Sequence, residues 1–342
     1  MNIAQLINTA HKNKIICFGA GIQGRRMIYY FENWGIEDSL IAYSDNSASK
    51  IGTCISSAHK SVPVISVDDM VRMWDKNTII LITSLYYKEI RRQLQKILPE
   101  AFITSYAEIS DAELEISDYD HVIKENNTPL IPKVIHYVWV GDEKPESVKK
   151  NVAHWKELCP DYEFIEWNEK NYDIKKNRYM YQAYKLKKYG FFPDYLRLDV
   201  LYEMGGIYLD TDIEMMKKPD ELLYQKCFGC VDATLTLNTG SGFGCIPGME
   251  IIREFRDYYN DLNFVNDDGS INIDSCNSIQ YFILSKYGYV IDDRLQRIIG
   301  MNIYPMIFQG KNAYTGKISV TDKTFWIHHG NMSWMEKRVW EN

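Results

Sequence analysis

Short apolar runs alternate with amphipathic stretches through both halves of the chain, and this alternation limits the fold more than any other feature. In the first hundred residues the runs are KIICFG (14–19), SLIAYSD (ending at Asp45) and TIILITS (78–84), with the charged stretch YKEIRRQLQKI after the last. Strands separated by helices in this way pair in parallel, because each crossover helix returns the chain to the same end of the sheet. Gly19, Gly21 and Gly24 end the first strand and open a helix that runs to about Trp34.

A glycine turn between a strand and a helix, followed by an acidic residue at the end of the next strand, is the context a dinucleotide fingerprint requires. Residues 1–106 are therefore expected to form a Rossmann-like, nucleotide-binding-type domain. Its candidate site is Gly19, Gly21, Gly24 and Asp45, and its candidate ligand is NAD or another nucleotide. The stretch is short for a complete dehydrogenase, so a scaffold or docking role stands beside nucleotide binding. Residues 107–130 are acidic and weakly patterned and read as a linker punctuated by Pro129 and Pro132. A second α/β domain is expected over 131–342. Its strands are KVIHYVWV and YEFIEWN, its helices Glu146 to Leu158, Tyr179 to Lys188 and Asp194 to Met204.

Charge and composition narrow the function. The net charge of -7 argues against a broad nucleic-acid surface, which needs clustered Lys and Arg. An acidic protein can still hold an anionic nucleotide when a cation lies between them. The opening MNIAQLINTAHKNK lacks the apolar core of a signal peptide, and no stretch approaches the ~20 apolar residues of a membrane span. Seven scattered cysteines fit a reducing compartment, and the lone Cys227/Cys230 pair lacks a partner pair at zinc spacing. A cytoplasmic protein is expected, with peripheral contact at the inner membrane face as an option.

The chemistry concentrates in Gly205-Gly206-Ile207-Tyr208-Leu209-Asp210-Thr211-Asp212. In an extended segment, Asp210 and Asp212 point the same way because side chains alternate with period two. Two carboxylates side by side repel, and a divalent cation relieves that cost. Hard oxygen ligands suit Mg²⁺ or Mn²⁺. A metal at this place would stabilise charge building on a departing diphosphate.

The stretches IPKVIHYVWVG (131–141), CPDYEFIEWNE (159–169), PDYLRLDVLYEMGGIYLDTDIE (193–214), LNTGSGFG (237–244) and WIHHGNMSW (326–334) occur in one order. In that order they resemble glycosyltransferase family 32, the group with a DXD-bearing sugar-binding region. The group includes bacterial capsule and lipopolysaccharide transferases and yeast initiating mannosyltransferases, and is more distantly similar to the glucosylating domains of clostridial toxins. The resemblance implies a GT-A fold with the nucleotide-sugar at the strands' carboxyl ends, as in open α/β sheets generally. It implies catalytic roles for Asp194, Arg197, Asp210 and Asp212. Donor-binding residues would be Val138, Trp139, Asp194, Arg197, Tyr208, Asp210, Asn238 and Trp334, with Trp139 stacking on the base. Metal ligands would be Asp210, Asp212 and one of His328 and His329, which alternation turns to opposite sides. His136 reads as structural. Asn277 and Gln280 fall where the family carries a related pattern, although Ser278 replaces its proline and Pro193 replaces its serine.

The expected activity is retaining transfer of a hexose from UDP-galactose, UDP-glucose or GDP-mannose to a saccharide or lipid-linked oligosaccharide. The expected setting is bacterial capsule, exopolysaccharide or lipopolysaccharide synthesis. The expected route is a front-face substitution, with the metal and Arg197 holding the developing charge. Three other classes compete: a toxin-like effector that glycosylates a protein, a non-catalytic binding module, and an NAD-dependent oxidoreductase built on the first domain.

Overall fold

The computed structural model describes residues 1–141, 143–272 and 276–330. The chain divides into two compact units. The first comprises 1–116 with short returns at 290–292 and 314–317, and the second comprises the remainder.

The first unit holds strands β1 (Lys14–Phe18), β2 (Leu40–Ser44), β3 (Cys54–Ser56), β4 (Ser61–Ile65), β5 (Thr78–Ile82) and β6 (Phe102–Ser105). Helices α1 (Ile3–Ala10), α2 (Ile22–Asn33), α3 (Val67–Met73), α4 (Tyr87–Ile97) and α5 (Tyr106–Ile116) accompany them. The sheet order is β3-β4-β2-β1-β5-β6, parallel except where β3 meets β4. Alternate residues of the parallel strands, Ile16, Phe18, Ala42, Ile80 and Ile82, are buried against Met70 and Leu94 of the helices. Each of the larger ones, Ile16, Phe18, Ile80 and Ile82, contributes about 1.5–3 kcal/mol by leaving water. The glycine turn after β1 is a close approach. A Cβ on Gly24 would lie 1.9 Å from the Gly19 carbonyl oxygen, so helix α2 can start there only with glycine.

Two expectations change here. The segment expected to be a linker from 107 opens with most of helix α5, whose Ala107, Ile109 and Leu114 are buried in the first unit. Two of its acidic residues have partners distant in sequence. Glu113 accepts the Ile3 backbone N–H at 2.7 Å, and Asp111 accepts the Thr315 hydroxyl at 2.6 Å. Beyond 116 the chain belongs to the second unit, where the N–H groups of Glu125 and Leu130 donate to Tyr224 and Leu223.

The second unit holds β7 (Val134–Val138), α6 (Glu146–Leu158), β8 (Glu163–Trp167), α7 (Arg178–Lys185), α8 (Pro193–Met204) and β9 (Gly206–Tyr208). It continues with β10 (Ile213–Met215), β11 (Cys227–Cys230), β12 (Phe243–Cys245), α9 (Glu250–Tyr258) and α10 (Cys276–Ser285). Strands β13 (Gln296–Ile298), β14 (Met301–Tyr304) and β15 (Trp326–His328) complete it. A mixed sheet runs β13-β14-β11-β12-β9-β7-β8, and β10 pairs antiparallel with β15 in a separate ribbon. The unit is thus the mixed α/β type expected.

Helix α8 begins with Pro193 in its first turn, where the missing N–H costs nothing. It is buried continuously from Asp194 to Leu201. The double glycine after it has a mechanical reason. Gly205 caps the helix at φ 66°, and a Cβ on Gly206 would lie 2.7 Å from the Val134 carbonyl oxygen. These two residues let the chain turn from α8 directly into β9 beside β7.

Candidate active site

Strand β9 lies between parallel β7 and antiparallel β12, and the two aspartates follow its carboxyl end. They do not sit in a continuous strand. Thr211 and Asp212 occupy a turn closed by the Ile213 N–H donating to the Asp210 carbonyl at 3.1 Å, after which the chain enters β10. The side chains converge because the turn folds Asp212 back, rather than by pleat alternation. Asp210, Asp212 and His328 each present one ligand atom, and these atoms all lie within 4.8 Å of one another.

The register of β10 with β15 decides between the two histidines. His328 is paired opposite Ile213, and its Nε2 lies 3.3 Å from Asp212 Oδ1. His329 points away: its Nε2 lies 2.9 Å from Glu214 Oε2 on the exposed side. The expected metal role of His329 is therefore corrected, while His328 joins the carboxylate pair. The Ser241 hydroxyl meets His328 Nδ1 at 2.8 Å, which leaves Nε2 for the carboxylate side. Orientation of a ligating imidazole by a bond to its other nitrogen is a general feature of metal sites.

Around this cluster the charges are buried and coupled. Arg197 is ion-paired with Asp194 one helical turn away, and its Nε–H donates to the Pro193 carbonyl at 3.1 Å. Its Nη1 is buried without a hydrogen-bond partner and stands 3.8 Å from Asp210 Oδ2. Burial opposes the guanidinium charge, but Asp210 and Asp194 outweigh it and hold the group ionised. Asp194 is pushed up to about 6, because burial and the charge of Asp210 exceed what Arg197 restores. Burial likewise raises Asp210, helped by Asp212 and opposed by Arg197, His328 and Tyr208. Burial would lower His328, yet Asp212 and Asp210 together raise it above its ordinary value. Two carboxylates and an imidazole whose charges are so interdependent suit a divalent cation, with oxygen and nitrogen donors of the kind Mn²⁺ accepts.

The other expected residues divide into those that reach the cluster and those that do not. The buried Tyr208 donates its hydroxyl to Asp210 Oδ1 at 2.8 Å, and burial raises its own ionisation far out of range. Asn238 sits under the following loop, where its side-chain oxygen accepts the Gly240 N–H at 2.7 Å. Val138 is buried at the end of β7, and half-buried Trp139 follows it, its N–H donating to the Trp167 carbonyl. Gln280 Nε2 donates to the Thr239 hydroxyl at 2.6 Å, and Asn277 donates to Asp232 at 3.1 Å. His136 is structural. The Trp167 indole donates to its Nδ1 at 3.0 Å, so Nε2 carries the proton and donates to the Gly205 carbonyl at 2.9 Å. Burial lowers its pKa to about 4. Trp334 lies outside the described residues.

Two residues, Ser241 and Asp232, were not singled out from the sequence. Ser241 lies inside the Asn-Thr-Gly-Ser-Gly segment, whose glycines permit close backbone approach: a Cβ on Gly240 would come to 2.5 Å from Asp210 Oδ2. Asp232 carries no motif signal at all. In the first unit, Gly19, Gly21, Gly24 and Asp45 come together at the carboxyl ends of β1 and β2. The Asp45 carboxylate is already engaged there: it accepts the Ala20 N–H at 2.7 Å and the Ser47 N–H at 2.8 Å, and pairs with Lys50 at 2.9 Å.

Comparison with known proteins agrees with this geometry. The family described as "Glycosyltransferase sugar-binding region containing DXD motif" matches residues 145–229. The chain is similar to inositol phosphoceramide mannosyltransferase 3 of Schizosaccharomyces pombe, 32% identical over 32% of this chain and 33% of that protein. It is similar to the mannosyl phosphorylinositol ceramide synthase SUR1 of Saccharomyces cerevisiae, 30% identical over 30% of each chain. It also resembles the subversion of eukaryotic traffic protein A of Legionella pneumophila, 31% identical over 27% of this chain and 19% of that one. These matches span about a third of the fungal relatives' length and less of the Legionella protein. Residues 145–229 are thus a DXD-bearing glycosyltransferase sugar-binding region, and Asp210-Thr211-Asp212 is its DXD motif.

Proposed function

We propose that the protein is a metal-dependent, retaining hexosyltransferase. One observation carries this reading: Asp210, Asp212 and His328 converge within 4.8 Å beside a buried arginine whose Nη1 is unpaired. A buried donor without a partner costs about 1–3 kcal/mol, and a substrate oxygen would recover it. Asp210, Asp212 and His328 would hold Mn²⁺ or Mg²⁺. The bound cation would supply charge stabilisation for the departing diphosphate.

The remaining work falls to the chain's own groups. Asp194 fixes the Arg197 guanidinium from one side, so that Nη1 faces the Asp210 carboxylate and the space where donor oxygens would lie. Tyr208 holds one oxygen of Asp210, and Ser241 fixes the His328 ring. In a front-face substitution the acceptor oxygen bonds to the anomeric carbon as the bond to the phosphate oxygen breaks. The departing phosphate oxygen takes the acceptor's proton, and Arg197 supports its charge.

The mannosyl names of the fungal relatives favour GDP-mannose over UDP-galactose and UDP-glucose. They also favour an acceptor carrying an inositol phosphate lipid or a lipid-linked saccharide over a free glycan. Capsule, exopolysaccharide or lipopolysaccharide synthesis is a setting for the same chemistry. A cytoplasmic place with peripheral membrane contact suits such an acceptor, and no helix among the described residues is long and apolar enough to cross a membrane. The likeness to a Legionella protein named for the subversion of eukaryotic traffic keeps a toxin-like effector that glycosylates a protein as the second reading. For the first unit we favour a scaffold or docking role over NAD binding, since its own backbone and Lys50 occupy the Asp45 carboxylate. An NAD-induced rise in melting temperature, absent in Gly21→Val, would reverse that choice.

The test is nucleotide release by purified protein from each of the three donors with Mn²⁺, against Asp212→Asn. Release from one donor, lost in the variant, is expected. Equal release by the variant, or calorimetry showing that no donor binds, would contradict the proposal.

A further inference from the structure

Asp232 lies just beyond β11, half-buried, in a turn that leads back toward the site. The turn is forced: Leu235 is buried with φ 58°, and its N–H donates to the Asp232 carbonyl at 2.8 Å. A non-glycine residue in that conformation is strained and persists only where its surroundings determine it. The Asp232 carboxylate accepts four hydrogen bonds. Oδ1 takes the Thr234 N–H at 2.8 Å and its hydroxyl at 2.5 Å. Oδ2 takes the side-chain amides of Asn238 at 2.8 Å and Asn277 at 3.1 Å.

The bond to Asn238 sets a direction. A carboxylate only accepts, so Asn238 must turn its NH₂ to Asp232 and its oxygen the other way. That oxygen accepts the Gly240 N–H at 2.7 Å, while the Asn238 carbonyl accepts the Ser241 N–H at 3.1 Å. The four residues 238–241 are thereby fixed as a single turn, and two of its members touch the candidate ligands. Gly240 leaves no room for a Cβ, which would fall 2.5 Å from Asp210 Oδ2, and Ser241 has its hydroxyl 2.8 Å from His328 Nδ1.

We infer that Asp232 is a positioning residue for the metal site, setting the amide of Asn238 and through it the 238–241 turn that holds Asp210 and His328 in place. This inference rests on the metal-dependent reading above. Asp232 touches no ligand atom itself. Its effect runs through one amide, whose orientation is set by the acceptor at position 232 together with the Gly240 N–H. In Asp232→Asn the oxygen stays with the Thr234 N–H, and the new NH₂ faces the NH₂ of Asn238. Donor then meets donor, the Asn238 amide reverses, and Gly240 loses its acceptor.

The experiment is a titration with Mn²⁺ alone, followed by electron paramagnetic resonance, on wild type, Asp212→Asn, Asp232→Asn, Asn238→Ala and the double variant at 232 and 238. Melting curves accompany it. Loss of partners around a metal's ligands commonly weakens affinity by about 10–100-fold. Asp232→Asn and Asn238→Ala are each expected to weaken Mn²⁺ binding about tenfold or more. The double variant should be no weaker than the weaker single one, because both break the same path. Affinity within twofold of wild type in either single variant overturns the inference, as does a double loss equal to the product of the two. Asn238→Ala leaves the Asp232 turn intact, so it decides the matter even if Asp232→Asn fails to fold. Unchanged binding by Asp212→Asn, or none by wild type, instead removes the metal assignment and this inference with it.

Discussion

Gly240→Ala is a small change with a large expected effect. The backbone at Gly240 lies outside the positive-φ region, so alanine meets no conformational penalty there. What it meets is side-chain and loop: its Cβ would stand 2.5 Å from Asp210 Oδ2, 2.9 Å from Arg197 Nη1 and 3.0 Å from Asn238 Oδ1. Ordinary van der Waals contact begins near 3.4 Å, so the Asp210 carboxylate or the loop must retreat by roughly 1 Å. A misplacement of about 1 Å at a catalytic group costs on the order of 100-fold in rate, or about 2.7 kcal/mol of barrier. Overpacking itself costs about 1–3 kcal/mol of stability, which leaves a folded protein. The assay is the rate of nucleotide release at saturating donor and Mn²⁺, with a melting curve to confirm folding. A folded variant releasing nucleotide within about threefold of wild type would refute the claim that this close approach fixes the carboxylate.

Three further expectations follow from the same geometry. His328→Ala should abolish Mn²⁺-dependent release while His329→Ala, which loses only an exposed partner in Glu214, should keep most of it; the reverse order would overturn the register argument. Gly24→Ala should destabilise the first unit by more than about 3 kcal/mol, since the clash is with backbone, whereas Gly21→Ala has open space and should cost under about 1 kcal/mol; equal melting temperatures would contradict this. His136 should make stability depend on pH. The buried imidazole resists protonation until about 4, against an ordinary 6.5, so the unfolded chain binds the extra proton between those values. Its contribution is complete above about 6.5 and is lost as pH falls toward 4, by up to ~3 kcal/mol. Denaturant midpoints across that range should slope less in His136→Gln than in wild type; identical slopes would count against it.

Much of this was legible in the sequence because burial imposes period. KVIHYVWV and YEFIEWN became β7 and β8, Glu146 to Leu158 became α6 at the same bounds, and the stretch after Pro193 became α8. Helix α5 was missed because its acidic residues hide a short apolar stripe. They are explained only by partners far along the chain, Ile3 and Thr315. The two aspartates were found, but the reason for their convergence was misjudged: a turn after β9 brings them together. The choice between His328 and His329 required the register of β10 on β15, which no local pattern reveals. Asp232 and Ser241 were invisible for a related reason. Their meaning lies in an amide orientation and a ring nitrogen, and both depend on contacts across the fold.

The most direct test of the account is a crystal of the protein grown with Mn²⁺ and a nucleoside diphosphate, examined for anomalous scattering from manganese. A single strong peak bound by Asp210, Asp212 and His328, with diphosphate oxygens completing its shell and Arg197 Nη1 turned toward them, is the predicted result. A nucleotide bound there without metal, or a peak held by other residues, would contradict the assignment.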